Sequence, residues 1–329
     1  MTKSQATTQS AHAVQTTHAV QTTLAEQVVL EGVGVHSGAP ASVIIHPASP
    51  DTGIIFVRSG LTGGREVEIP ARVSAVSSTD LCTCLGTPHG LSIATVEHLM
   101  AALCGLGVDN AVVEIDSDEV PIMDGSAEAF VDAIDQVGLR HHMAARKFIR
   151  VLKPVRFQSG DAYGELLPHD GRRFEIEIDF DSHLVGRQKI EFDLQPGVFR
   201  AELSRARTFG FMRDVERLWA GGFALGASLD NTVVIGETNL VNPEGLRYAD
   251  EFVRHKALDA VGDLALAGAP ILGKYRSARG GHKVNCGVVS ALLADRSAWT
   301  MVEEMPQRRE SGHAEIGAAA GPVYKPVVS

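Results

Sequence analysis

The sequence predicts an α+β protein that is divided into two domains. Its 329 residues are enough for two domains of ordinary size. Segments that alternate apolar and polar residues follow one another mostly in hairpin order and are interrupted by helices. This order recurs in the second half of the chain, after a lapse of the pattern at 141–146. We therefore expect domains at 24–145 and 146–303, flanked by tails at 1–23 and 304–329.

The composition excludes several classes of protein. Hydrophobic residues make up 44% of the chain and charged residues 21%, as in an ordinary globular protein. The net charge of −10 argues against a nucleic-acid-binding surface. No apolar run approaches the roughly 18 residues of a transmembrane helix, and the N-terminus lacks the apolar region of a signal peptide. We expect a cytoplasmic protein that has no transmembrane segment and binds no nucleic acid.

Residues 1–23 are predicted to form a disordered tail. They are rich in Ser, Thr, Gln and Ala, and the hexapeptide at 12–17 recurs at 18–23. Two such copies are too short for a solenoid, and almost no bulky apolar side chain is available for a core. The C-terminal segment after residue 311 is rich in Gly, Ala and Pro and is expected to fray.

The first domain opens with a strand at 28–31 and a glycine-rich turn at 32–38. The glycines of this turn follow the spacing G-x-G-x-x-x-G, not the G-x-G-x-x-G of dinucleotide-binding folds. A second strand, at 39–45, follows the turn where such a fold would have a helix. This pattern disfavours a nicotinamide enzyme. Further strands of this domain are predicted at 54–58, 67–73, 81–85 and 110–115.

A helix beginning near Thr95 carries the first candidate site residues. Thr95 is a suitable N-cap, and Gly105 with Gly107 provides a C-terminal stop. Glu97 and His98 then lie in the first turn, where the helix dipole favours an ionised carboxylate and a neutral imidazole. Neutral imidazole is the form that ligates metal. The alternative is an ordinary first-turn Glu beside a partly buried His.

The second domain begins with four segments of alternating apolar and polar residues, which predict half-buried antiparallel strands. Farther along, the segment 204–225 is dense in aromatic and long apolar side chains. This density fits either core packing or an apolar groove for a chain-like ligand, and composition does not separate the two. The predicted strands are 148–151, 162–166, 174–180, 188–194 and 232–235. Helices of this domain are predicted at 213–220, 247–267 and 285–293, and the first domain has a further predicted helix at 127–138.

The helix at 247–267 has two kinds of face. Its apolar residues recur at three- and four-residue spacing and form a stripe for the core. His255, Asp259 and Asp263 stack in one column on a different face. An imidazole and a carboxylate one turn apart can share a metal ion, and the alternative is a solvated column with a His–Asp hydrogen bond. A catalytic zinc site needs a third protein ligand and an open position, so one ligand has to come from elsewhere.

The four cysteines, Cys82, Cys84, Cys104 and Cys286, are expected to be free thiols in a reducing compartment. Cys82 and Cys84 form a C-x-C pair and not the C-x-x-C of structural zinc sites. In a strand both of their thiols would point the same way. His282 lies in a glycine-flanked loop between two cations, which suits a residue that acts as an acid.

The two halves together contain the parts of a metallohydrolase. A zinc ion on two imidazoles and one carboxylate, with one open position, would bind water and lower its pKa towards neutrality. Residues so distant in sequence need not meet, and the spacing alone does not bring them together. The candidates are His98, His255 and Asp259 as ligands, Glu97 as base, His282 as acid and Asp263 as the group that orients the acid.

From residue 24 to residue 299 the sequence resembles the UDP-3-O-acyl-N-acetylglucosamine deacetylases of lipid A synthesis. The resemblance implies two domains of related layered topology, each a β-sheet packed on α-helices, with the active site in the cleft between them. It also implies that His98, His255 and Asp259 bind zinc, with iron(II) as the alternative cation. The matching stretches are 32–38, 81–85, 92–103, 121–127, 204–214, 250–263 (DEFVRHKALDAVGD) and 281–282.

The activity that the resemblance implies is hydrolysis of the N-acetyl group of UDP-3-O-[(3R)-3-hydroxyacyl]-N-acetylglucosamine to a free amine and acetate, the committed step of lipid A biosynthesis. Glu97 and zinc would activate the attacking water. The Thr208 hydroxyl, together with zinc, would stabilise the oxyanion. Protonated His282, oriented by Asp263, would deliver a proton to the departing amine.

The resemblance also implies a set of substrate-binding residues. Lys256 and Arg279 would meet the diphosphate, and Phe180 would stack on the uracil. The segment 212–229 resembles an insert of the family that forms a passage for the acyl chain. The other residues expected to bind substrate are Leu81, Cys82, Phe209, Met212 and Val215. We expect the protein to act as a monomer.

The sequence departs from the family after His282. It reads Lys-Val-Asn-Cys at 283–286, where the family more often has a smaller residue, Leu and paired Asn. Two other functions compete with the deacetylase. One is a zinc amidohydrolase that acts on another N-acetylated sugar, which the apolar segment 212–229 disfavours. The other is a non-catalytic module that binds a nucleotide sugar or an acyl carrier, which would not require the base, the acid and all three ligands together.

Overall fold

The computed structural model describes residues 20–86, 90–304 and 324–326 of the chain. Within these ranges several β-sheets pack on helices in both halves of the sequence, so the predicted α+β class is confirmed. None of the described helices is both long and apolar enough to cross a membrane.

The described part of the first half contains two α-helices and strands that form two main sheets. In chain order the elements are β1 (Val20–Leu24), β2 (Val28–Val33), β3 (Pro40–Pro47), β4 (Ile54–Arg58), β5 (Val67–Pro70), β6 (Val76–Ser78), β7 (Cys84–Gly86), β8 (Ser92–Ile93), α1 (Glu97–Leu106), β9 (Ala111–Ile115), α2 (Glu128–Val137) and β10 (Leu139–Ala145). Strands β2, β3, β9, β4 and β5 make a five-stranded sheet in that order, β6 to β8 make a three-stranded sheet, and β1 pairs with β10.

The described part of the second half is built around an eight-stranded sheet. Its elements are β11 (Lys147–Val151), β12 (Val155–Ser159), β13 (Ala162–Leu167), β14 (Arg172–Asp179), β15 (Arg187–Asp193), α3 (Pro196–Val198), β16 (Phe209–Phe211), α4 (Val215–Ala220), β17 (Val233–Ile235), α5 (Glu251–Ala265), β18 (Ile271–Ala278), α6 (His282–Ala294), β19 (Trp299–Glu304) and β20 (Tyr324–Pro326). The sheet runs β12, β13, β18, β11, β19, β20, and β14 pairs with both β18 and β15. Helix α6 packs on β12 and β13, and α5 packs on β14 and β15.

The strands of both sheets bury one face, as their alternating sequences predict. Along β14, Phe174, Ile176 and Ile178 are buried, whereas the intervening Glu175 and Glu177 are only partly covered. Successive side chains of a strand point to opposite faces, so a two-residue period leaves one face for the core. The buried faces of both halves, together with α1 and α5, contribute to one continuous hydrophobic core.

Helices α1 and α5 join the two halves at very short range. A Cβ atom on Gly262 of α5 would lie 2.0 Å from the carbonyl oxygen of Glu97 and 3.1 Å from the amide nitrogen of Ala101 on α1. Because no side chain larger than hydrogen fits there, glycine permits this approach of the two backbones. The contact lies at the first turn of α1 and beside Asp263 of α5, and it sets these two segments against each other.

The prediction of a disordered N-terminal tail is wrong for residues 20–23, while 1–19 lie outside the described residues. Val20–Leu24 forms β1 and pairs antiparallel with β10. The polar side chains here are buried because they make hydrogen bonds inside the protein. The Thr22 hydroxyl donates to the Gly107 carbonyl, and the Thr23 hydroxyl donates to the Asn110 carbonyl at 2.7 Å. Burial of polar groups is tolerated when their hydrogen bonds are made.

The lapse of pattern at 141–146 is also occupied by regular structure, since β10 spans Leu139–Ala145. Among the strands that the structure describes, β10 pairs with β1 alone, and it has no fully buried residue, so its sequence carries no alternation. The division of the chain at 145 stays a prediction. In the predicted C-terminal tail, Tyr324–Pro326 forms β20 on the edge of β19, which corrects the expectation for that stretch; 305–323 and 327–329 lie outside the described residues.

Three local predictions next to the candidate site residues are corrected. Thr95 does not cap α1: it has a left-handed backbone (φ 59°), its hydroxyl donates to Glu119 at 2.9 Å, and the helix begins at Glu97. The strand predicted at 81–85 is reduced to β7, because Leu81 has a left-handed backbone (φ 67°). His282 is the first residue of α6 and does not lie in a loop.

Candidate metal centre and active site

Three buried side chains from the two halves converge on one point. His98 comes from α1, and His255 and Asp259 come from α5. Their potential ligand atoms all lie within 4.8 Å of one another. Asp259 Oδ1 lies 3.5 Å from His98 Nε2 and 3.3 Å from His255 Nε2, and the two imidazole rings are nearly perpendicular. The helix pairing thus produces the three-residue arrangement that spacing alone left unresolved.

The donor set fits a divalent cation. Asp259 Oδ1 is buried and accepts no hydrogen bond, although two imidazole nitrogens face it. A buried carboxylate oxygen without a donor is costly unless a cation takes its charge. Two imidazoles and one carboxylate are the ligand types of a catalytic zinc site, which keeps one position open. The prediction of a metal site at these residues therefore has structural support, and the identity of the metal stays a prediction.

His255 is held in the neutral form that a metal ligand needs. Its Nδ1 lies 3.0 Å from the carbonyl oxygen of Ala206, an acceptor that fixes the proton on Nδ1 and leaves the Nε2 lone pair towards Asp259. Burial lowers the pKa of His255 to about 4. Ala206 is itself held by its neighbour Arg207, whose backbone N–H and Nε donate to the fully buried Glu251 at 3.0 and 2.9 Å.

Lys256 lies beside the metal ligands. Its ammonium group donates to Asp259 Oδ2 at 3.0 Å, which leaves Oδ1 to face the two imidazoles. Burial alone would raise the pKa of the Asp259 carboxyl, but the neighbouring His255 and Lys256 hold it well below its ordinary value. The carboxylate is therefore ionised at neutral pH, as a ligand must be.

The predicted base and acid face each other next to the triad. Glu97 Oε1 lies 3.7 Å from His282 Nε2. Burial raises the pKa of Glu97 to about 8, against the opposing effect of His282. Burial alone would lower the pKa of His282, but the charges of Asp263 and Glu97 outweigh it and raise it to about 10. His282 is consequently a cation at neutral pH.

Asp263 contacts His282, the residue that it is predicted to orient. Its Oδ2 lies 3.0 Å from His282 Nδ1 and also accepts the Asn285 amide at 2.9 Å. Asn285 in turn accepts a hydrogen bond from the buried Tyr275 hydroxyl at 2.6 Å. The departure from the family at 283–286 thus keeps an amide on the orienting carboxylate, and Cys286 is simply buried.

The aromatic residues predicted to bind substrate lie on the His255 side of the site. The ring of Phe209 is 6.2 Å from the His255 ring and 5.6 Å from the ring of Phe180, centroid to centroid. The Lys256 ammonium lies 5.7 Å from the centroid of Phe209. Arg279 is placed differently: half exposed and in a left-handed backbone conformation, it pairs with Asp179, the neighbour of Phe180, at 2.5 Å.

The segment 212–229 carries exposed apolar side chains and rests on the glycine-rich turn at 32–38. Leu225 and Gly226 donate backbone hydrogen bonds to the carbonyls of His36 and Val35, both at 3.1 Å. Met212 is 48% exposed and Trp219 57% exposed, fractions too large for core residues. Core packing therefore does not account for this part of the aromatic-rich stretch.

The remaining predicted residues occupy varied surroundings. Val215 begins α4 and is half-buried, Leu81 is half exposed, and Cys82 is buried with its sulfur 3.7 Å from that of Cys84. Thr208 is half-buried, two residues beyond Ala206, and its backbone N–H donates to Gly125. All four cysteines are free.

Sequence reasoning missed three contributors to the site. Thr83 donates to both Glu97 and Asp263, Asn285 supports Asp263, and the Arg207–Glu251 pair holds the carbonyl that orients His255. A signal for Thr83 existed, because alternation puts the residue between two same-facing thiols on the opposite face. The other contacts join positions far apart in sequence, and no spacing rule identifies them.

Comparison with known proteins agrees with the geometry. A profile of the UDP-3-O-acyl N-acetylglycosamine deacetylase family matches residues 21–294. The UDP-3-O-acyl-N-acetylglucosamine deacetylases of Brucella ovis and Brucella melitensis biotype 2 are each 57% identical to this chain over 277 residues, which cover 84% of this chain and 96% of each relative. The resemblance inferred from the motifs is confirmed. The chain belongs to the UDP-3-O-acyl N-acetylglycosamine deacetylase family.

Proposed function

We propose that this protein hydrolyses the N-acetyl group of UDP-3-O-[(3R)-3-hydroxyacyl]-N-acetylglucosamine to the free amine and acetate, in the committed step of lipid A biosynthesis. The observation that carries the proposal is the convergence of a ligand triad, a carboxylate base and a His–Asp pair from opposite halves of the chain. The relatives at 57% identity bear the name of this activity. The enzyme acts as a monomer in the cytoplasm.

His98, His255 and Asp259 would hold the cation, which we propose to be zinc, with iron(II) as the alternative. A cation bound there would act as a Lewis acid, which lowers the pKa of a bound water molecule and polarises the acetamide carbonyl. The chain's own contribution is to present two imidazoles and an ionised carboxylate on two helices, and to keep those side chains buried.

Glu97 acts as the general base. Its Oε1 accepts the proton of the water that attacks the acetamide carbonyl, while Oε2 stays bonded to the Thr83 amide. A carboxylate whose pKa is raised into the range near neutrality can both take up and release a proton during turnover. The Thr208 hydroxyl, on the loop that also supplies the Ala206 carbonyl, stabilises the negative charge that develops on the carbonyl oxygen.

His282 acts as the general acid. Asp263 holds its Nδ1–H, so that Nε2 is the nitrogen that points towards Glu97 and the reacting group. When the carbon–nitrogen bond breaks, Nε2 gives its proton to the departing amine, and acetate leaves. The positive charge that His282 carries at neutral pH also stabilises the anionic transition state.

The substrate's other parts are recognised around this centre. Lys256 and Arg279 bind the diphosphate, and Phe180 stacks on the uracil. Because the chain has a net charge of −10, an anionic nucleotide sugar needs such a local concentration of cations. The acyl chain runs along the segment 212–229, whose exposed apolar side chains would otherwise face water. The other residues proposed to bind substrate are Leu81, Cys82, Phe209, Met212 and Val215.

The test is acetate release by the purified, metal-loaded protein from UDP-3-O-acyl-N-acetylglucosamine substrates of defined acyl length. We expect turnover that increases with acyl length up to an optimum, and about one metal ion per chain by elemental analysis. A soluble N-acetylated sugar without an acyl chain is the matched control. Equal turnover of that sugar would favour the broader amidohydrolase, and binding of substrate without acetate release at any length would mean a non-catalytic binding module.

A further inference from the structure

Thr83 contacts two catalytic groups that come from different halves of the protein. It is fully buried between Cys82 and Cys84, at the entrance to β7. Its backbone N–H donates to Glu97 Oε2 at 3.1 Å, and its hydroxyl donates to Asp263 Oδ1 at 2.6 Å. A single residue therefore fixes the carboxylate of the base on α1 and the carboxylate that orients the acid on α5.

The hydroxyl of Thr83 determines which way the Asp263 carboxylate faces. An ionised carboxylate can only accept hydrogen bonds. Oδ2 accepts from His282 Nδ1 and the Asn285 amide, whereas Oδ1 accepts from the Thr83 hydroxyl. Without that hydroxyl, the buried Oδ1 has no hydrogen-bond donor. The free-energy cost of an unsatisfied acceptor then favours rotation of the carboxylate towards other donors. Such a rotation moves Oδ2 away from His282 and releases the imidazole.

The backbone of Thr83 is anchored as well. Its carbonyl oxygen accepts the N–H of Val96, the residue that precedes the first turn of α1, at 3.2 Å. The backbone N–H of Thr83 thus bonds to Glu97 and its carbonyl to Val96, so both backbone groups of Thr83 are tied to the start of α1. The hydroxyl contact to α5 is consequently made from a fixed point. Thr83 therefore connects the carboxylate of the base to the carboxylate of the His–Asp pair.

We propose that Thr83 is a positioning residue of the deacetylation, which acts through Glu97 and through the Asp263–His282 pair without touching substrate. This inference rests on the proposed function, because it assigns Thr83 a part in that reaction. It differs from a purely structural role in one respect: the hydroxyl oxygen, and not the volume of the side chain, determines the rate of the chemical step.

The test compares variants that separate the hydroxyl from the side-chain volume. Thr83→Val keeps the shape and removes the hydroxyl, and we expect kcat to fall about 10- to 100-fold, as for other groups that orient active-site ligands. KM and the metal content should stay near those of the wild type. Thr83→Ser restores the hydroxyl and should recover most of kcat. Thr83→Ser and Thr83→Ala differ by one oxygen atom, so this pair decides the question even if the Val variant does not fold.

Thr23→Val is the matched control. Thr23 is also fully buried, and its hydroxyl donates to the carbonyl oxygen of Asn110, a residue with no part in the proposed reaction. We expect this variant to lose stability and keep the wild-type kcat. Wild-type kcat in Thr83→Val, or equal losses in the Ser and Ala variants, would overturn the inference while leaving the proposed function intact. A metal-loaded wild type that releases no acetate would overturn both.

Discussion

Two histidines of this site are buried to similar extents and have opposite charge states. His255 is 2% exposed and His282 is 8% exposed. The Nδ1 atom of His255 faces a neutral backbone carbonyl, and its pKa falls to about 4; the Nδ1 atom of His282 faces the Asp263 carboxylate, and its pKa rises to about 10. Burial lowers the pKa of both rings. The partner of one nitrogen decides whether the histidine suits the role proposed for His255, a neutral ligand, or the role proposed for His282, a charged acid.

The largest effect is expected from removing the neutral member of the pair. His255→Ala deletes one of the three proposed ligands, and we expect loss of stoichiometric metal together with turnover. Glu97→Ala is the counterpart: because Glu97 is not a ligand, metal should remain bound while turnover is lost. Elemental analysis and acetate release on the same preparations distinguish the two. Retention of metal by His255→Ala and its loss from Glu97→Ala would mean that the roles are reversed.

The second prediction removes the positive charge of His282 by changing its partner, Asp263. Asp263→Asn removes the anion that holds Nδ1–H of His282, so the imidazole loses both its charge and its preferred tautomer. We expect kcat to fall on the order of 10⁴-fold, the loss found when the orienting aspartate of a catalytic triad is replaced by asparagine. Metal content should be unchanged, since Asp263 is not a ligand. A variant with near-normal kcat would show that His282 does not act as the acid.

A smaller effect, on metal affinity, is expected when the Ala206 carbonyl that accepts from His255 is held less firmly. Arg207→Lys keeps the charge opposite Glu251 and the backbone N–H bond, but it cannot reproduce the contacts that the guanidinium group makes to Glu251, Glu244 and the Gly245 carbonyl. We expect the metal dissociation constant to rise about tenfold, with kcat at saturating metal close to the wild-type value. Competition with a chelator measures the constant. An unchanged affinity would show that Ala206 is held without the Arg207–Glu251 pair.

The smallest effect concerns stability in metal-free protein. The folded-state pKa of His282 lies above its ordinary value of 6.5, so its stabilising contribution is complete below pH 6.5 and is lost as pH rises through about 10. The pKa of His255 is depressed, so its contribution is present above pH 6.5 and is lost as pH falls through about 4. Asp263 and Glu97 face His282, whereas Asp259, His98 and Lys256 face His255.

Urea unfolding midpoints measured against pH after chelation should therefore change in opposite directions in the two variants. His282→Gln should flatten the fall of stability between pH 6.5 and about 10, and His255→Gln should flatten its rise between about 4 and 6.5. If both variants altered the same limb of the curve, the contrast between the two environments would be contradicted.

The sequence predicted the parts of this site that lie within one helix. The four-residue spacing of His255, Asp259 and Asp263 places them on one face, and the adjacency of Glu97 and His98 follows from the chain itself. Both groupings depend only on the helical repeat. The structure then shows that the two groupings face each other, and this depends on Gly262 fitting against the backbone of Glu97.

The failures share a physical cause, which is hydrogen bonding between distant segments. Threonine is a residue type favoured at N-caps, yet the Thr95 hydroxyl donates to Glu119 and the Thr95 backbone is left-handed. Gln21, Thr22 and Thr23 have the composition of a solvated tail, but partners elsewhere in the fold satisfy each side chain. Local propensity is overridden where a tertiary partner outweighs it, and a single sequence does not reveal such partners.

The approach of α5 to α1 at Gly262 has a thermodynamic consequence. One ligand lies on one side of this contact and two lie on the other, so a cation that binds all three also cross-links the halves of the chain. Binding to the docked form alone adds to the free energy of docking and raises the melting temperature as metal concentration increases. Metal occupancy and the contact between α1 and α5 are therefore thermodynamically linked, and that contact requires glycine at position 262.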